Sequence, residues 1–172
     1  MNPVFELRFV PGDIHSIGLW SQDLSVWMKR RNEIRPDHKF WYRMTVLPDD
    51  RTIKPAAPSV RRQMEQVSSI ARSDGPGTIS VCIDPILRYR HTGTEEWIDP
   101  FTSDFIKTVF DGLASCGISH VRISFIDYYR KVEMRAERAG IEFYYPGHSR
   151  DDGWFMEKAL EIRSMADGYP LE

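Results

Sequence analysis

Two aspartates stand where apolar, strand-like segments of the chain end. Asp84 follows the segment 78–83, and Asp127 follows the segment 120–126. Ligands of parallel α/β folds bind outside the carboxyl ends of the strands, where these two side chains would share one rim. Paired carboxylates could act there as catalytic acid and base, position a metal ion or bind a basic group. The alternative is that each aspartate caps the turn or helix that follows it.

Other polar residues at or near strand ends are candidates for ligand binding. Trp20 and Ser21 end the first strand-like segment, and Thr45 and Ser124 lie near the ends of two others. Arg43 stands inside an otherwise apolar segment, so a buried position would require a partner. Asp84 on a neighbouring strand would suit, as would the phosphate or carboxylate of a ligand. We favour the structural pairing.

Motifs for common cofactors are not evident in the sequence. The five histidines show no metal-ligand spacing, and the two cysteines, Cys82 and Cys116, are too few to hold a zinc or iron–sulfur site alone. Gly75 and Gly77 flank a proline between a helix and a strand, whereas a phosphate loop leads from a strand into a helix. We therefore predict no bound cofactor.

The hydrophobic pattern alternates between strand-like and helical segments. Strands are predicted at 14–20, 39–46, 78–83 and 120–126, and helices after Ser59, from Phe101, from Tyr129 and over 154–166, with a long loop at 88–100. This alternation is typical of an α/β fold with a parallel sheet. The 172 residues are too few for a complete eight-unit barrel of about 250 residues. We expect a single α/β domain over 1–172, built as a partial (β/α) barrel or an open parallel sheet of four to five strands flanked by helices.

A basic and aromatic segment at 29–43 resembles a nucleic-acid surface. Strand alternation, however, directs Phe40 and Tyr42 to one face and Trp41 to the other, which favours a core role for these rings. The chain as a whole carries 23 Lys and Arg against 25 Asp and Glu, a net charge of −2. This balance argues against a strongly basic nucleic-acid binder but leaves room for a local patch.

The length and position of the apolar runs bear on localisation. None approaches the roughly 20 residues of a membrane span, and the first residues lack a basic flank followed by an apolar region. We therefore expect a soluble, cytoplasmic protein with no membrane partner.

Two motifs carry a resemblance to a known family. The run 81–87 contains Asp84-Pro85-Ile86, and the run 123–132 contains Ser124-Phe125 followed by Asp127, Arg130 and Lys131. Together they resemble the domain-of-unknown-function 1848 family, which is related to radical S-adenosylmethionine barrels and to spore photoproduct lyase. Weaker similarities extend the match over residues 13–140. The resemblance adds Arg130 and Lys131 to the candidate ligand-binding residues.

The chain also departs from the family pattern. It lacks the Ser-Arg-Arg-Thr-Asp-like first strand and the terminal cysteine cluster that would hold a [4Fe–4S] centre, and Cys82 stands where the family has arginine. The resemblance therefore implies a truncated or diverged barrel without iron ligands, binding an anionic or nucleotide-like ligand at the strand ends. Two alternatives remain open. The chain is an enzyme that uses Asp84 and Asp127 with a metal or as acid and base, or an interaction subunit that completes a barrel with a partner.

The exposed edges of the expected sheet bear on how the chain assembles. A partial barrel exposes two sheet edges, and exposed edges invite pairing with another chain. An alternating segment at 4–10 could protect one edge, and a final helix with Trp154, Phe155, Ala159 and Ile162 on one side could cover part of the core. We expect these two segments to be insufficient, so that the chain forms a homodimer or joins a second subunit.

Overall fold

A parallel sheet with helices packed against it forms the centre of the computed structural model. The structure describes residue 12 and residues 14–33, 38–127, 129–145 and 153–171. The strands among these residues are β1 (Ile17–Ser21), β2 (Phe40–Thr45), β3 (Ile79–Ile86), β4 (Tyr89–His91), β5 (Val121–Phe125) and β6 (Ile141–Phe143). The α-helices are α1 (Ser25–Arg30), α2 (Val60–Asp74), α3 (Ser103–Ser115), α4 (Arg130–Ala139) and α5 (Gly153–Ala166).

The main sheet has four strands in the order β1-β2-β3-β5, and every neighbouring pair is parallel. All four predicted strands are present with boundaries shifted by a few residues, which confirms the α/β prediction and its parallel sheet. In the register, Trp20 pairs with Arg43, and Arg43 pairs with Ser80. From one edge of the sheet to the other, the strands therefore follow their order along the chain.

The predicted helices form where capping residues and apolar periodicity coincide. The side chain of Ser59 accepts a hydrogen bond from the backbone N–H of Arg62 at the start of α2, as the sequence predicts. Thr102 caps α3 in the same way. Gly140 ends α4 in the left-handed conformation, with φ of 65°, which glycine adopts at little cost.

The two faces of the main sheet differ in composition. One face carries apolar side chains such as Tyr42, Met44, Val81 and Ile83, which join the core with residues of α2 and α3. As predicted, Phe40 and Tyr42 lie on this core side and Trp41 points to the other. Strand alternation gives the opposite face a more polar set. We call it the polar face, and it consists of Gly18, Trp20, Trp41, Arg43, Thr45, Ser80, Cys82, Asp84, Arg122 and Ser124.

A second, two-stranded sheet corrects the prediction of a loop over 88–100. β4 lies within that segment and pairs antiparallel with β6, so that Tyr89 faces Phe143. Arg90 reinforces the pair through a salt bridge of 2.6 Å to Glu142. Each strand is only three residues long, and such short strands give no period-2 pattern for sequence reasoning to detect.

The final helix covers part of the core, as expected. Ile162 of α5 is buried, and Trp154 and Phe155 pack against Phe125. None of the helices in the described part of the chain combines the length and apolar character that a membrane span requires. The edge strand predicted at 4–10 lies outside the described residues.

Candidate functional site

A cavity of about 770 Å³ lies at the carboxyl ends of β3 and β5. Asp84, Ser124 and Asp127, three residues that the sequence singled out, all line it. The structure therefore places the two aspartates at one cavity, at the same end of the sheet. Its remaining walls are largely apolar and include Ile53, Pro55, Pro85, Leu87, Phe125, Ile126, Val132, Ala136, Ala139, Ile141 and Phe143.

A β-bulge brings Asp84 beside Ser124. Ile83 pairs with Ile123 and Ile86 pairs with Phe125, so two residues of β3 lie opposite one residue of β5. Bulges of this kind redirect a side chain and are common next to functional sites. The Ser124 hydroxyl donates a hydrogen bond of 2.5 Å to Oδ1 of Asp84. This contact fixes the carboxylate at the cavity wall.

The helix after β5 supplies one wall of the cavity. Tyr129, Val132, Ala136 and Ala139, which recur at helical spacing in the sequence, all line it. Asp127 lies on the same side, just before that helix. The apolar face of α4 thus covers a cavity as well as joining the core through Ala136.

Two acidic groups and one basic group are the charged residues that line this cavity within the described chain. These are Asp84, Asp127 and Arg135. The excess of carboxylates gives the polar end a negative potential, which suits hydrogen-bond donors and basic groups more than simple anions. Sequence reasoning missed Arg135 and the wall formed by Ile53 and Pro55. Ile53 and Pro55 lie in the turn that carries part of the family resemblance, the only signal that could have indicated them.

Arg43 does not lie with the aspartates, contrary to the sequence prediction. Arg43 pairs in register with Ser80, four residues before Asp84 on β3, which is about 13 Å along a strand. Its guanidinium carbon lies 5.4 Å from the ring centre of Trp20 and 5.6 Å from that of Trp41. Among the described residues its Nε has no hydrogen-bond partner. The pairing of Arg43 with Asp84 is therefore not found, because the arginine lies too far from the end of the strand.

Trp20 and Thr45 belong to the same group as Arg43. The indole Nε1 of Trp20 donates a hydrogen bond of 2.9 Å to the hydroxyl oxygen of Thr45. Neither residue lines the cavity beside Asp84. The ligand-binding residues predicted at the strand ends therefore divide into two separate groups on the polar face.

The remaining candidates contribute little to either group. The Ser21 hydroxyl donates to the carbonyl oxygen of Asp23 and accepts from its backbone N–H, so it closes a turn after β1. Arg130 and Lys131 are exposed at the start of α4 and do not line the cavity.

The two cysteines do not form a metal site together. Cys82 is buried in β3, and Cys116 caps the end of α3. Burial raises the pKa of the Cys82 thiol despite the nearby arginines Arg43 and Arg122, so the reactive thiolate is disfavoured. No group of three or more His, Cys, Asp or Glu side chains that could hold a metal occurs in the part of the chain that the structure describes.

Comparison with known protein families places most of the chain in one family. A family model described as Domain of unknown function (DUF1848) matches residues 1–168. Neither the curated proteins nor the solved structures include a match to this chain.

Proposed function

The chain belongs to the DUF1848 family, and on this premise we propose that it is a diverged partial barrel that binds a nucleoside-like ligand at the carboxyl ends of its strands. The observation that carries the proposal is the cavity shared by Asp84, Asp127 and Ser124 at the end of the sheet where α/β folds bind ligands.

The arrangement of the main sheet supports the comparison with a barrel. In a (β/α) barrel, parallel strands follow one another in chain order, their outer side is covered by helices and their inner side faces the barrel interior. Here the order β1-β2-β3-β5 shows the same succession, and the helix-covered core side contrasts with the polar face. A doubly wound fold would instead reverse its strand order at one point.

The residues present do not fit an iron–sulfur cluster. Such a cluster is held by several cysteine thiolates around one point, whereas Cys82 lies in the sheet and Cys116 at the end of a helix. We therefore propose a function that depends on the cavity alone.

The lining of the cavity favours a nucleoside over a simple anion. The volume falls in the range of small-molecule sites, and the apolar walls suit a planar base. Oδ1 of Asp84 accepts a hydrogen bond from the Ser124 hydroxyl, while the other carboxylate oxygen of Asp84 accepts none from any described residue. That oxygen can accept from a ribose hydroxyl, as acidic residues do in dinucleotide sites. Among the described residues that line the cavity, Arg135 is the one that suits a phosphate.

Calorimetric titration with adenosine, AMP and inorganic phosphate tests the proposal. We expect adenosine and AMP to bind and phosphate alone not to bind. The substitution Asp84→Asn should weaken adenosine binding about tenfold or more, the value of a hydrogen bond to a charged group. Asp167→Asn, at an exposed aspartate after α5, is the matched control and should leave the affinity unchanged. Two results would contradict the proposal. One is that phosphate binds as tightly as AMP, and the other is that Asp84→Asn and Asp167→Asn bind adenosine with equal affinity.

A second candidate is catalysis by the two aspartates. Asp84 and Asp127 line one cavity, the arrangement that acid–base chemistry requires. If they catalyse a reaction of the bound nucleoside, wild-type protein should convert adenosine or AMP to a product that chromatography detects. Asp127→Asn should then abolish turnover while ligand is still bound. Binding without any product would reject this candidate and leave the first in place.

The third candidate, an interaction subunit, depends on the outer strands of the sheet. β1 and β5 each have one neighbour in the main sheet among the described strands. An additional chain could pair with either edge. Sedimentation of the purified protein at tens of micromolar tests this proposal, since a monomer would contradict the homodimer.

A further inference from the structure

Two tryptophans on the polar face are unusually exposed. Trp20 is 63% exposed and Trp41 is 44% exposed, and they occupy the neighbouring strands β1 and β2. Large apolar side chains exposed together on a surface commonly mark an interaction site.

Both indole rings are held in defined positions. Trp20 is fixed by its hydrogen bond to Thr45. Trp41 lies against the backbone of β1 at Gly18, where an added Cβ would come within 2.3 Å of the indole ring. The absence of a side chain at Gly18 thus allows the ring to lie on the sheet. The rings are organised before any ligand binds, which lowers the entropic cost of binding.

Positive charge lies beside these rings. The Arg43 guanidinium carbon lies 5.4 Å and 5.6 Å from the two ring centres, and the exposed Arg122 extends from β5. A cleft of about 350 Å³ beside the amino ends of β3 and β5 is lined in part by Trp41 and Arg122. Asp84 is the one carboxylate among the residues of the polar face, and it lies at the carboxyl end in contact with Ser124. The middle of the face is therefore complementary to an anionic partner.

We propose that this face binds single-stranded nucleic acid, with bases stacked on Trp20 and Trp41 and a backbone phosphate at Arg122. Bases of any sequence stack on aromatic rings, and basic side chains follow the phosphates. A second copy of this chain would bring the same arginines against each other, and a neutral ligand would make no use of them. Nucleic acid is the partner that matches both the rings and the charge.

The inference is independent of the proposed nucleoside cavity. Trp20, Trp41, Arg43 and Arg122 do not line that cavity, and Asp84 and Asp127 take no part in the stacking surface. Failure of one proposal therefore does not contradict the other, and substitutions at different residues test the two proposals separately.

Fluorescence anisotropy of a labelled twelve-residue oligothymidylate measures the binding. Trp20→Ala should weaken it about fivefold or more, the lower end of the effect of losing one base–aromatic stack. Trp41→Phe, which keeps an apolar ring, should weaken it less. Arg122→Gln should also make the dependence of log affinity on log salt shallower by about 0.7, the value of one phosphate contact on a single strand.

Two control variants lie away from this face. Val26→Ala removes exposed apolar surface from α1, and Arg61→Gln removes an exposed charge from α2. Both should bind the oligonucleotide as the wild type does, and circular dichroism should show that all variants are folded. Three results would overturn the inference. They are equal binding by Trp20→Ala and wild type, equal binding of a duplex of the same length, and a dimer in sedimentation that Trp20→Ala dissociates.

Discussion

The Ser124 hydroxyl and the Asp84 carboxylate join two neighbouring parallel strands through a hydrogen bond of 2.5 Å. The bond exists because the bulge in β3 gives that strand one more residue than β5 between two register pairs. Because Ser124 and Asp84 both line the cavity, this bond holds the two strand ends together and also fixes the orientation of the Asp84 carboxylate. The local irregularity of the sheet therefore shapes the candidate site.

Removing this hydroxyl should destabilise the strand ends. We expect Ser124→Ala to lower the free energy of unfolding by about 1–2 kcal/mol, because a partly buried carboxylate loses its donor. Urea denaturation followed by circular dichroism measures the change. Ser115→Ala is the control. That exposed hydroxyl donates to the carbonyl of Gly112 in its own helix and contacts the neighbouring Cys116 sulfur, so its loss should lower the free energy of unfolding by less than about 0.5 kcal/mol. Equal losses in the two variants would refute a special role for Ser124.

Gln63 is a buried polar residue that fastens α2 to the strand ends. Its Nε2 donates to the carbonyl oxygens of Thr45 and Gln22, and its Oε1 accepts from the ammonium group of Lys54. We expect Gln63→Leu to lower the free energy of unfolding by about 3 kcal/mol or more, because these buried partners lose hydrogen bonds while the side-chain volume hardly changes. Thermal and urea unfolding measure the effect.

The same helix provides the control for Gln63. Glu65 is exposed and makes only a surface ion pair with Arg61, so Glu65→Gln should change the stability by less than about 0.5 kcal/mol. A loss in Gln63→Leu no larger than that of the control would show that the hydrogen bonds of Gln63 contribute little.

Asp23 should make folding sensitive to acid. Its carboxylate accepts hydrogen bonds from the backbone N–H of Ser25 at 2.8 Å and from Nε2 of Gln66 at 3.0 Å. These bonds, that of Ser25 first, hold the pKa of Asp23 below its ordinary value of 3.8. Because the folded pKa is the lower one, the charge contributes stability above the unfolded pKa that is lost as the pH falls through the folded pKa.

The substitution Asp23→Asn isolates that contribution. At about pH 7 the free energy of unfolding of the wild type should exceed that of the variant by less than about 1 kcal/mol, because the carboxylate is exposed. The difference should shrink as the pH falls below 3.8 and disappear below the folded pKa. Urea unfolding at a series of pH values measures it. A difference that stays constant with pH would show that the charge of Asp23 is not responsible.

Features that depend on local periodicity could be predicted from the sequence. The four parallel strands and the Ser59 cap follow from patterns a few residues long. The spacing of Val132 and Ala136 identified the apolar face of α4, and that face proves to be a wall of the cavity. Asp84 and Asp127 could be placed together because parallel strands of one sheet end on the same side.

Features that depend on contacts between distant residues could not be predicted. The pair formed by β4 and β6 joins Arg90 to Glu142 across 52 positions, and neither strand is long enough to show a period. The expected position of Arg43 beside the aspartates is wrong because a strand-like segment does not reveal its register. The register sets how far each side chain lies from the end of the strand. The register places this arginine beside tryptophans instead of aspartates.

Arg88 should hold the final helix in place. Its guanidinium carbon lies 3.6 Å from the ring centre of Tyr144 and 5.1 Å from that of Trp154 at the start of α5, and its Nε has no hydrogen-bond partner among the described residues. Stacking on the rings is therefore its main interaction, worth up to about 2 kcal/mol when shielded from water. We expect Arg88→Met to lower the free energy of unfolding by about 1–2 kcal/mol and to speed hydrogen exchange of the α5 amides, while Arg163→Met, at an exposed position of the same helix, should do neither. Unchanged exchange in α5 after Arg88→Met would mean that the helix is held by its apolar contacts alone.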